Sequence, residues 1–347
     1  MPASKYVYGF IEEPQKKEFS FTGINGKKVY TIPYQDVSIV VSNSEIIEYT
    51  YRRKDTLAEL LVWHQKVIEK IMNLEYTIIP MRLGTFAADE NDVKDILNKG
   101  YNLIEDIFKK ISNIIEIDII STWKDFVLIL KETGEEKEIK EFKENLLANS
   151  KKITVDDQMK VGIMLKKALE NKREKYAFKI QNALKEVSHD LKVHELMDDK
   201  MVINSAFLID KSKQTEFYKK IESLNNEFDD KLNFRCVGPL PPYSFYTLEI
   251  KKMQFKEIDW AKKKLRLSDD FATQNEVRKT YRKLALSFHP DRNPNTPGIE
   301  KEFDEVTKAY KILGDYGEAC KQAGKEDNLF FNEEEFEKNK ILVKVRD

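Results

Sequence analysis

One pair of residues in this sequence could perform acid–base chemistry, namely His289 and Asp291, which are separated by Pro290. A general acid–base pair also needs a cleft and a further group that orients it. The pair lies in a polar loop between two predicted helices, which offers neither feature. A Gly-rich phosphate loop, Gly-x-Ser-x-Gly and His-Glu-x-x-His are also missing from the sequence. We therefore expect a protein that is not an enzyme and that uses no cofactor and no metal.

The residues before this pair have the pattern of a basic amphipathic helix. Apolar side chains recur at helical spacing along one face, and basic side chains fall on the other face. The apolar positions are Val277, Tyr281, Leu284, Ala285 and Phe288, and the basic positions are Arg278, Lys279, Arg282 and Lys283. Thr273 is expected to cap the helix, with Glu276 at the capping-box position. Pro290 cannot continue the helix and disfavours helical geometry at His289, so the helix must end there.

A second apolar helix is predicted after the loop, because apolar residues again recur at intervals of three and four. These residues are Phe303, Val306, Ala309, Tyr310 and Leu313. The sequence thus predicts two antiparallel helices joined by a loop that carries His-Pro-Asp.

The composition limits what the rest of the chain can be. With 347 residues the chain is too long for one ordinary core, and roughly two or three domains are expected. The 59 basic and 60 acidic residues nearly cancel, so an electrostatic partner must be met by a local patch. No apolar run is long enough for a membrane span, and the N-terminus lacks the pattern of a secretory signal. Cys236 and Cys320 lie far apart without a metal or redox spacing, which favours free thiols in a reducing cytoplasm.

Residues 1–122 are predicted to form an α+β domain, because the order of strand and helix patterns suits helices that cover one face of a sheet. The predicted strands are Lys5–Glu12, Val29–Ile32, Val37–Ser42, Tyr76–Ile79 and residues 115–119, where isoleucines alternate with acids. His64 lies on the apolar stripe of the first predicted helix. At such a position a structural histidine is expected more often than a ligand or a base.

Residues 123–198 are predicted to be almost wholly helical. An apolar period near 3.6 from Val161 to Leu191 predicts one long helix that packs on a partner helix. Residues 199–252 are predicted to form a second α+β unit, from the strand Met201–Ile209, the helix Lys211–Phe228, the strand Leu232–Val237 and a last strand that ends near Ile250.

A Pro-rich segment interrupts this second unit, and it cannot occupy a central strand or a helix interior. Its defining residues are Gly238, Pro239, Pro241, Pro242, Tyr243 and Phe245. The prolines hold the backbone near polyproline geometry, and both aromatic residues are available for packing. We expect a rigid loop that turns the chain and buries two aromatic side chains. A partner-binding or ligand-binding site is the alternative.

These pieces resemble, in the same order, the GvpF/GvpL family of gas vesicle proteins. The resemblance spans roughly residues 5–250, and its most specific part is the stretch from Gly238 to Phe245. The other matching stretches are Tyr6–Phe10, Val37–Ser42, the helix that contains His64, Pro80–Phe86 and Asn204–Ile209. The resemblance implies two α+β domains, the first of them ferredoxin-like, joined by long helices. It also implies a cytoplasmic role in building gas vesicles, either by contacting the hydrophobic shell protein and other gas vesicle proteins or as a minor shell component.

The two C-terminal helices and their loop resemble the J domain, the co-chaperone module that stimulates the ATPase of a DnaK-type chaperone. The match covers about residues 257–315, and residues 257–325 are expected to form a small all-helical domain. The family's chaperone-contact residues carry over onto Tyr281, Arg282, Lys283, His289, Pro290, Asp291, Arg292 and Asn293. Arg266 stands where a glycine usually ends the first helix, and Ser287 replaces a usual basic residue. Tyr316–Lys325 matches the family's fourth helix poorly, and residues 326–347 are expected to form an acidic extended or helical appendage.

Together these patterns predict a gas vesicle assembly factor or minor shell component that recruits a DnaK-type chaperone. A shell protein that exposes apolar surface before assembly is prone to aggregate, which gives a chaperone-recruiting domain a use. The alternatives are a general co-chaperone or an interaction scaffold unrelated to gas vesicles. Nucleic-acid binding through phosphate contacts of the helix over residues 274–288 is a further alternative. The balanced charge and the lack of base-reading motifs disfavour it, and neither nucleic acid nor a membrane is an expected partner.

Overall fold

A computed structural model describes residues 4–45, 54–149, 153–229, 231–268, 270–325 and 327–346. The chain forms two compact units, Met1–Lys110 together with Tyr246–Asp347, and Ile111–Phe245. The strands are β1 (Lys5–Glu12), β2 (Glu18–Thr22), β3 (Lys28–Tyr34), β4 (Val37–Asn43), β5 (Ile78–Pro80), β6 (Phe86–Ala87), β7 (Ile114–Trp123), β8 (Asp190–Val193), β9 (Met201–Asp210), β10 (Leu232–Leu240), β11 (Leu248–Lys252), β12 (Phe271–Thr273), β13 (Asn328–Phe330) and β14 (Ile341–Val345). The helices are α1 (Lys54–Asn73), α2 (Glu90–Ile111), α3 (Phe126–Gly134), α4 (Lys137–Asn149), α5 (Val155–Lys185), α6 (Gln214–Glu227), α7 (Tyr243–Tyr246), α8 (Phe255–Lys264), α9 (Gln274–Ser287), α10 (Ile299–Gln322) and α11 (Glu333–Asn339).

The N-terminal part of the first unit is an antiparallel sheet with the strand order β2-β3-β4-β1-β5. β1 lies inside this sheet and is buried on both faces, so Tyr6, Tyr8 and Phe10 are inaccessible to solvent. His64 of α1 is also buried, and its Nδ1 lies 2.8 Å from the Tyr6 hydroxyl oxygen. Burial lowers the pKa of His64 to about 4. The ring is therefore neutral near pH 7 and part of the core, and the expected structural histidine is confirmed.

The second unit is an antiparallel sheet with the strand order β10-β7-β9-β8, packed on α5 and α6. The prediction that the strand over residues 115–119 belongs to the N-terminal domain is wrong. These residues lie in β7, which pairs with β9 and β10. Ile117 of β7 joins Phe207 and Phe217 in the core of the second unit. Alternation identifies a strand but not its partners, which lie far along the chain.

The helices over residues 123–198 do not form a separate connector, which corrects the second predicted boundary. Ile129 of α3 and Leu169, Ile180 and Leu184 of α5 belong to the core of the second unit, and residues 190–193 are β8. The long helix itself is confirmed, since α5 has 31 residues. It begins at a capping box in which Thr154 Oγ1 accepts a hydrogen bond from the Asp157 N–H.

The C-terminal part of the first unit contains α8, α9 and α10, and its core also takes residues from the tail. Leu329, Phe331 and Phe336 are buried in this core, and β13 pairs with β12. The expected appendage over residues 326–347 is therefore wrong. The acidic residues of α11 dominate the composition of the tail, so composition alone does not predict that these apolar residues are buried. The assignment of residues 248–252 to the second α+β unit is also wrong, because β11 pairs with β14 inside the first unit.

Candidate functional site

Helix α9 presents the basic face that the sequence predicts. Its capping box is formed, because Thr273 Oγ1 accepts from the Glu276 N–H at 3.2 Å and the Thr273 N–H donates to Glu276 Oε2 at 2.8 Å. Val277 and Leu284 are buried in the core shared with α8 and α10. The side chains on the opposite face are exposed, namely Arg278, Lys279, Arg282 and Lys283. The helix is thus held along one face and offers four cations on the other.

The cations of α9 stand apart from the ion pairs that the described residues form. None of the four forms an ion pair with another residue in the described part of the chain. Neighbouring cations do, since Lys264 of α8 lies 2.9 Å from Glu302 and 2.5 Å from Glu305 of α10. Exposed charges without partners keep their attraction for an acidic surface and guide its approach. The basic face is therefore suited to an acidic protein partner.

The loop after α9 is fixed by its own residues. The backbone of His289 is extended, with φ −64° and ψ 127°, as the following proline requires. Nδ1 of His289 accepts a hydrogen bond from the Asp291 N–H at 3.2 Å, which leaves Nε2 to carry the proton of the neutral ring. Nδ2 of Asn293 donates to the carbonyl oxygens of Ser287 and His289, at 2.9 and 3.1 Å. The loop therefore has a defined shape without any partner.

The His-Pro-Asp side chains remain accessible on this fixed backbone. The His289 side chain is 42% exposed and meets the Phe303 ring edge-on, with 5.5 Å between the ring centroids. The Asp291 side chain is 90% exposed, and its Oδ2 lies 3.8 Å from His289 Nδ1. An acid–base pair at the surface lacks the cleft that catalysis requires. The arrangement is better suited to contact with another protein.

Tyr281 connects the basic helix to the helix after the loop. Its ring stacks on the ring of Tyr310 with 4.1 Å between centroids and 11° between planes. Both residues are half-buried beside the domain core. Tyr281 thus fixes α9 against α10 and still shows part of its ring to solvent, between the cations and the loop.

The two departures from the J-domain pattern leave the backbone geometry intact. Arg266 has φ 54°, the left-handed conformation that a helix-ending glycine would adopt. The N–H groups of Arg266 and Leu267 donate to the carbonyls of Lys263 and Lys262, each at 3.1 Å, as in a Schellman motif. Ser287 is exposed, and its hydroxyl donates to the Lys283 carbonyl at 3.0 Å. Helix termination and loop shape are therefore independent of both substitutions.

The Pro-rich segment is held against the second sheet. β10 runs to Leu240, but it is an edge strand, so Pro239 does not occupy a central strand. Gly238 has φ 147°, and a Cβ atom there would lie 2.9 Å from the Glu116 carbonyl oxygen. The remaining defining residues are buried or half-buried, namely Pro241, Pro242, Tyr243 and Phe245. The segment is a fixed part of the second unit.

A polar cluster around the buried Glu116 holds this segment, and the sequence patterns do not predict it. Ser244 donates from its N–H and its hydroxyl to the two carboxyl oxygens of Glu116, each at 2.8 Å. Lys192 Nζ donates to the Ser244 carbonyl at 2.8 Å, and His194 Nε2 lies 3.1 Å from the Ser244 Oγ. Glu116 is 1% exposed, and burial raises its pKa to about 8. Burial also raises the pKa of the neighbouring Asp118.

The sequence signal for this cluster is weak. Glu116 and Asp118 alternate with isoleucines in β7, which predicts a face open to solvent. The structure instead covers Glu116 with Ser244, a residue that stands inside the Pro-rich stretch without a distinctive spacing to either acid. Through these contacts the cluster fastens the Pro-rich segment to β7.

The family comparison identifies the larger part of the chain. Residues 4–247 match the model described as "Gas vesicle synthesis protein GvpL/GvpF". The chain belongs to the GvpL/GvpF family. Gas vesicle protein F of Nostoc sp. is 21% identical over 247 residues, which cover 71% of this chain and 98% of that protein. The crystal structure of GvpF from Anabaena sp. has a TM-score of 0.61 at 21% identity and covers 70% of this chain and 97% of that chain. The likeness shows that this GvpL/GvpF region shares the GvpF fold.

The C-terminal helices belong to a second family. Residues 263–319 match the DnaJ domain. Chaperone protein DnaJ of Neisseria meningitidis is 45% identical over 62 residues, which cover 15% of this chain and 17% of that protein. This member of the GvpL/GvpF family thus carries a DnaJ domain, and both resemblances seen in the sequence are confirmed. The match ends before β13, so the tail strands lie outside it.

The described residues also bear on two other kinds of site. Across the ranges that the structure describes, no helix combines the length and apolar character that a membrane crossing requires. Within the same ranges, no group of three or more His, Cys, Asp or Glu side chains is arranged to hold a metal ion.

Proposed function

We propose that this protein is a gas vesicle assembly factor or a minor shell component that binds the hydrophobic shell protein and recruits a DnaK-type chaperone. In this proposal the role is non-enzymatic and is performed in the cytoplasm, at the gas vesicle. Chaperone recruitment uses Tyr281, Arg282, Lys283 and the loop from His289 to Asn293. Gas vesicle proteins other than the shell protein are further partners, and nucleic acid and membranes are not.

One observation carries the proposal, namely the surface that α9 and its loop present. The four cations of α9 are exposed without ion-pair partners in the described residues, and the Asp291 side chain beside them is 90% exposed. Both lie on a backbone that is already ordered by internal hydrogen bonds. A preformed charged surface binds a rigid partner with a smaller loss of conformational entropy. Membership of the GvpL/GvpF family supports the gas vesicle setting of that partner.

The chaperone half is tested by measuring the ATPase of a DnaK-type chaperone with the full-length protein. We expect the wild-type chain to accelerate ATP hydrolysis above the basal rate of the chaperone. His289→Gln should return the rate to its basal value. His189→Gln is the matched control, because His189 is also at the surface and lies in the second unit, 3.1 Å from Asp210. Equal stimulation by the wild type and His289→Gln would exclude recruitment through this loop.

The gas vesicle half is tested by co-purification of the full-length chain with the shell protein. The whole chain is required, because a fragment that ends at residue 252 would leave β11 without its partner strand β14. We expect the shell protein to be retained, and a deletion strain to make fewer vesicles. Failure of the shell protein to co-purify, together with normal vesicles in the deletion strain, would exclude the assembly role.

A further inference from the structure

The tail after α10 has two halves that pack on different parts of the first unit. The first half, residues 327–339, completes the DnaJ-type domain, since Leu329, Phe331 and Phe336 lie in its core. The Tyr316 hydroxyl of α10 also donates to the Phe330 carbonyl at 2.5 Å. The second half is β14, which contributes nothing to that core.

β14 forms a separate two-stranded sheet with β11, beside the N-terminal sheet. It pairs with β11 in an antiparallel register from Leu248 opposite Val345 to Lys252 opposite Ile341. β11 is in turn attached to the chain that follows β5, because the Arg82 N–H donates to the Leu248 carbonyl at 3.0 Å. The chain therefore enters the DnaJ-type domain through β11 and returns from it through β14, at one place on the N-terminal domain.

Val343 of β14 contacts both domains. Its side chain packs against α2, where a Cβ atom on Gly100 would lie 3.0 Å from Val343 Cγ1. Its carbonyl accepts a hydrogen bond from Gln322 Nε2 of α10 at 2.5 Å, and its N–H lies 3.5 Å from Gln322 Oε1. The amide of Gln322 thus occupies the outer edge of β14 as a neighbouring strand would. Leu342 and Val343 are completely buried.

Ion pairs reinforce the same layers. Asp315 of α10 lies 2.8 Å from Lys251 of β11 and 3.3 Å from Lys344 of β14. Lys252 of β11 pairs with Asp92 of α2. Asp315 and Asp92 are largely shielded from solvent, and the lysines are partly shielded. These pairs are therefore better placed than isolated surface pairs to fix an orientation.

The position of β14 affects the position of the His-Pro-Asp loop, because the long helix α10 connects the two. At about 1.5 Å per residue, α10 separates Gln322 from Phe303 by roughly 28 Å along its axis. Phe303 is the residue that contacts His289. A rotation of about 10° at the β14 end would therefore move the His-Pro-Asp loop by roughly 5 Å over that length.

We propose that β14 is a strap that holds the DnaJ-type domain in one orientation on the N-terminal domain. A domain attached by β11 alone would be free to change its orientation, as domains on single connections are. With the strap in place, a chaperone bound at the loop is presented at a fixed position relative to the N-terminal domain. This last consequence rests on the proposed function, whereas the fixed orientation does not.

The strap is tested by distance measurements between spin labels on the full-length protein. Labels are attached to cysteines introduced at Lys28 of β3 and Lys301 of α10, whose side chains are 78% and 80% exposed. Cys236 is replaced by serine, and the buried Cys320 is left in place. We expect one narrow distance distribution for this reference protein. A broad distribution in the reference protein would overturn the proposal at once.

Two variants remove the strap in different ways. Gly100→Leu places a side chain where Val343 packs, and Gly162→Leu is its matched control because nothing lies within 4 Å of that position in α5. The second variant ends the chain after Lys340 and keeps the residues that complete the DnaJ-type core. We expect the distribution to widen by about twofold in Gly100→Leu and in the shortened chain, as for a single flexible connection. It should be unchanged in Gly162→Leu.

The outcomes separate the strap from the proposed function. An unchanged narrow distribution in the shortened chain would overturn the strap, whatever the chaperone assay gives. Widening in the shortened chain, with full ATPase stimulation retained, supports the strap as an orienting element outside the chaperone-contact surface. Widening in a protein whose wild type never stimulates the chaperone would retain the strap and reject chaperone recruitment. Hydrogen exchange over residues 255–339 should match the wild type and so verify that the DnaJ-type core persists.

Discussion

The two proline-containing segments that stand out in the sequence, Gly238–Phe245 and Phe288–Asn293, have opposite surroundings. In the first, Ser244 is bound through its backbone and side chain by the buried Glu116. In the second, the polar groups bind mainly one another, and the Asp291 carboxylate is open to solvent. Prolines define the backbone shape of both segments. The two segments differ in whether a buried polar group binds the segment, and we expect this difference to decide whether a segment stabilises the fold or is available to a binding partner.

The contrast separates two kinds of effect. Substitutions in the Pro-rich segment or its cluster should change the free energy of unfolding and leave chaperone stimulation alone. Substitutions in the His-Pro-Asp loop should do the reverse. Substitutions and changes of pH test this separation.

The largest effect on stability is expected from Glu116→Ala. It removes the buried acceptor of two 2.8 Å hydrogen bonds and leaves both donors of the half-buried Ser244 without that partner. Loss of a buried partner of this kind lowers the free energy of unfolding by roughly 2–4 kcal/mol. Urea denaturation of the full-length protein, with hydrogen exchange over residues 232–246, measures the change and locates it in the second unit.

Asp291→Ala is the matched acid-to-alanine control for Glu116→Ala. Its carboxylate is 90% exposed, so the free energy of unfolding should change by no more than about 0.5 kcal/mol. ATPase stimulation should be lost in Asp291→Ala and kept in Glu116→Ala. Equal destabilisation by the two substitutions would show that the buried and the exposed carboxyl group contribute equally to the free energy of unfolding.

A somewhat smaller effect is expected from pH on the same cluster. Burial raises the pKa of Glu116 from 4.5 to about 8, so the folded state holds a proton that the unfolded state releases. The stability that this group contributes is complete below pH 4.5 and is lost as the pH rises towards 8. The free energy of unfolding of the second unit should therefore fall continuously over this interval.

His64 in the N-terminal domain gives the opposite sign and an internal check. Its pKa is lowered from 6.5 to about 4 by burial, so the unfolded state binds the proton first. The N-terminal domain should therefore lose stability as the pH falls from 6.5 to 4. Glu116→Gln should remove only the loss of stability of the second unit between pH 4.5 and 8, as followed by hydrogen exchange in each unit. A slope that survives Glu116→Gln would assign it to another group.

The sequence predicts local backbone features well where one rule decides them. Thr273 with Glu276 predicts the start of α9, and Pro290 predicts its end, and both predictions are confirmed. The family resemblances rest on similarly local stretches and hold over the expected ranges. The exposed loop could be identified from sequence because its side chains make few contacts outside it.

Long-range pairing is where sequence patterns fail. The isoleucines of β7 predict a strand, but its partners β9 and β10 are separated from it by the helices α3 to α5. The tail was expected to be an appendage because its acids dominate its composition, whereas Ile341, Leu342 and Val343 form a buried strand. The sequence pattern does not predict the cluster around Glu116 for the same reason. Burial of a polar face depends on what crosses it, and no local period records that.

The smallest effect is expected at Arg266, a residue with strained backbone geometry beside the DnaJ-type core. Arg266 is exposed and has φ 54°, a conformation that disfavours a side chain with a Cβ atom. Arg266→Gly should raise the free energy of unfolding by roughly 0.5–1 kcal/mol, because relief of this strain exceeds the added freedom of the unfolded chain. Urea denaturation measures the gain. ATPase stimulation should stay at the wild-type level, since the substitution leaves α9 and its loop untouched.

Arg278→Gly is the matched control and should lower stability by about 1 kcal/mol, because it places glycine inside α9. If Arg266→Gly destabilises the protein as Arg278→Gly does, the side chain of Arg266 contributes contacts that outweigh its backbone strain. The exposed part of the DnaJ-type domain would then depend on surface side chains as strongly as the Pro-rich segment depends on buried ones.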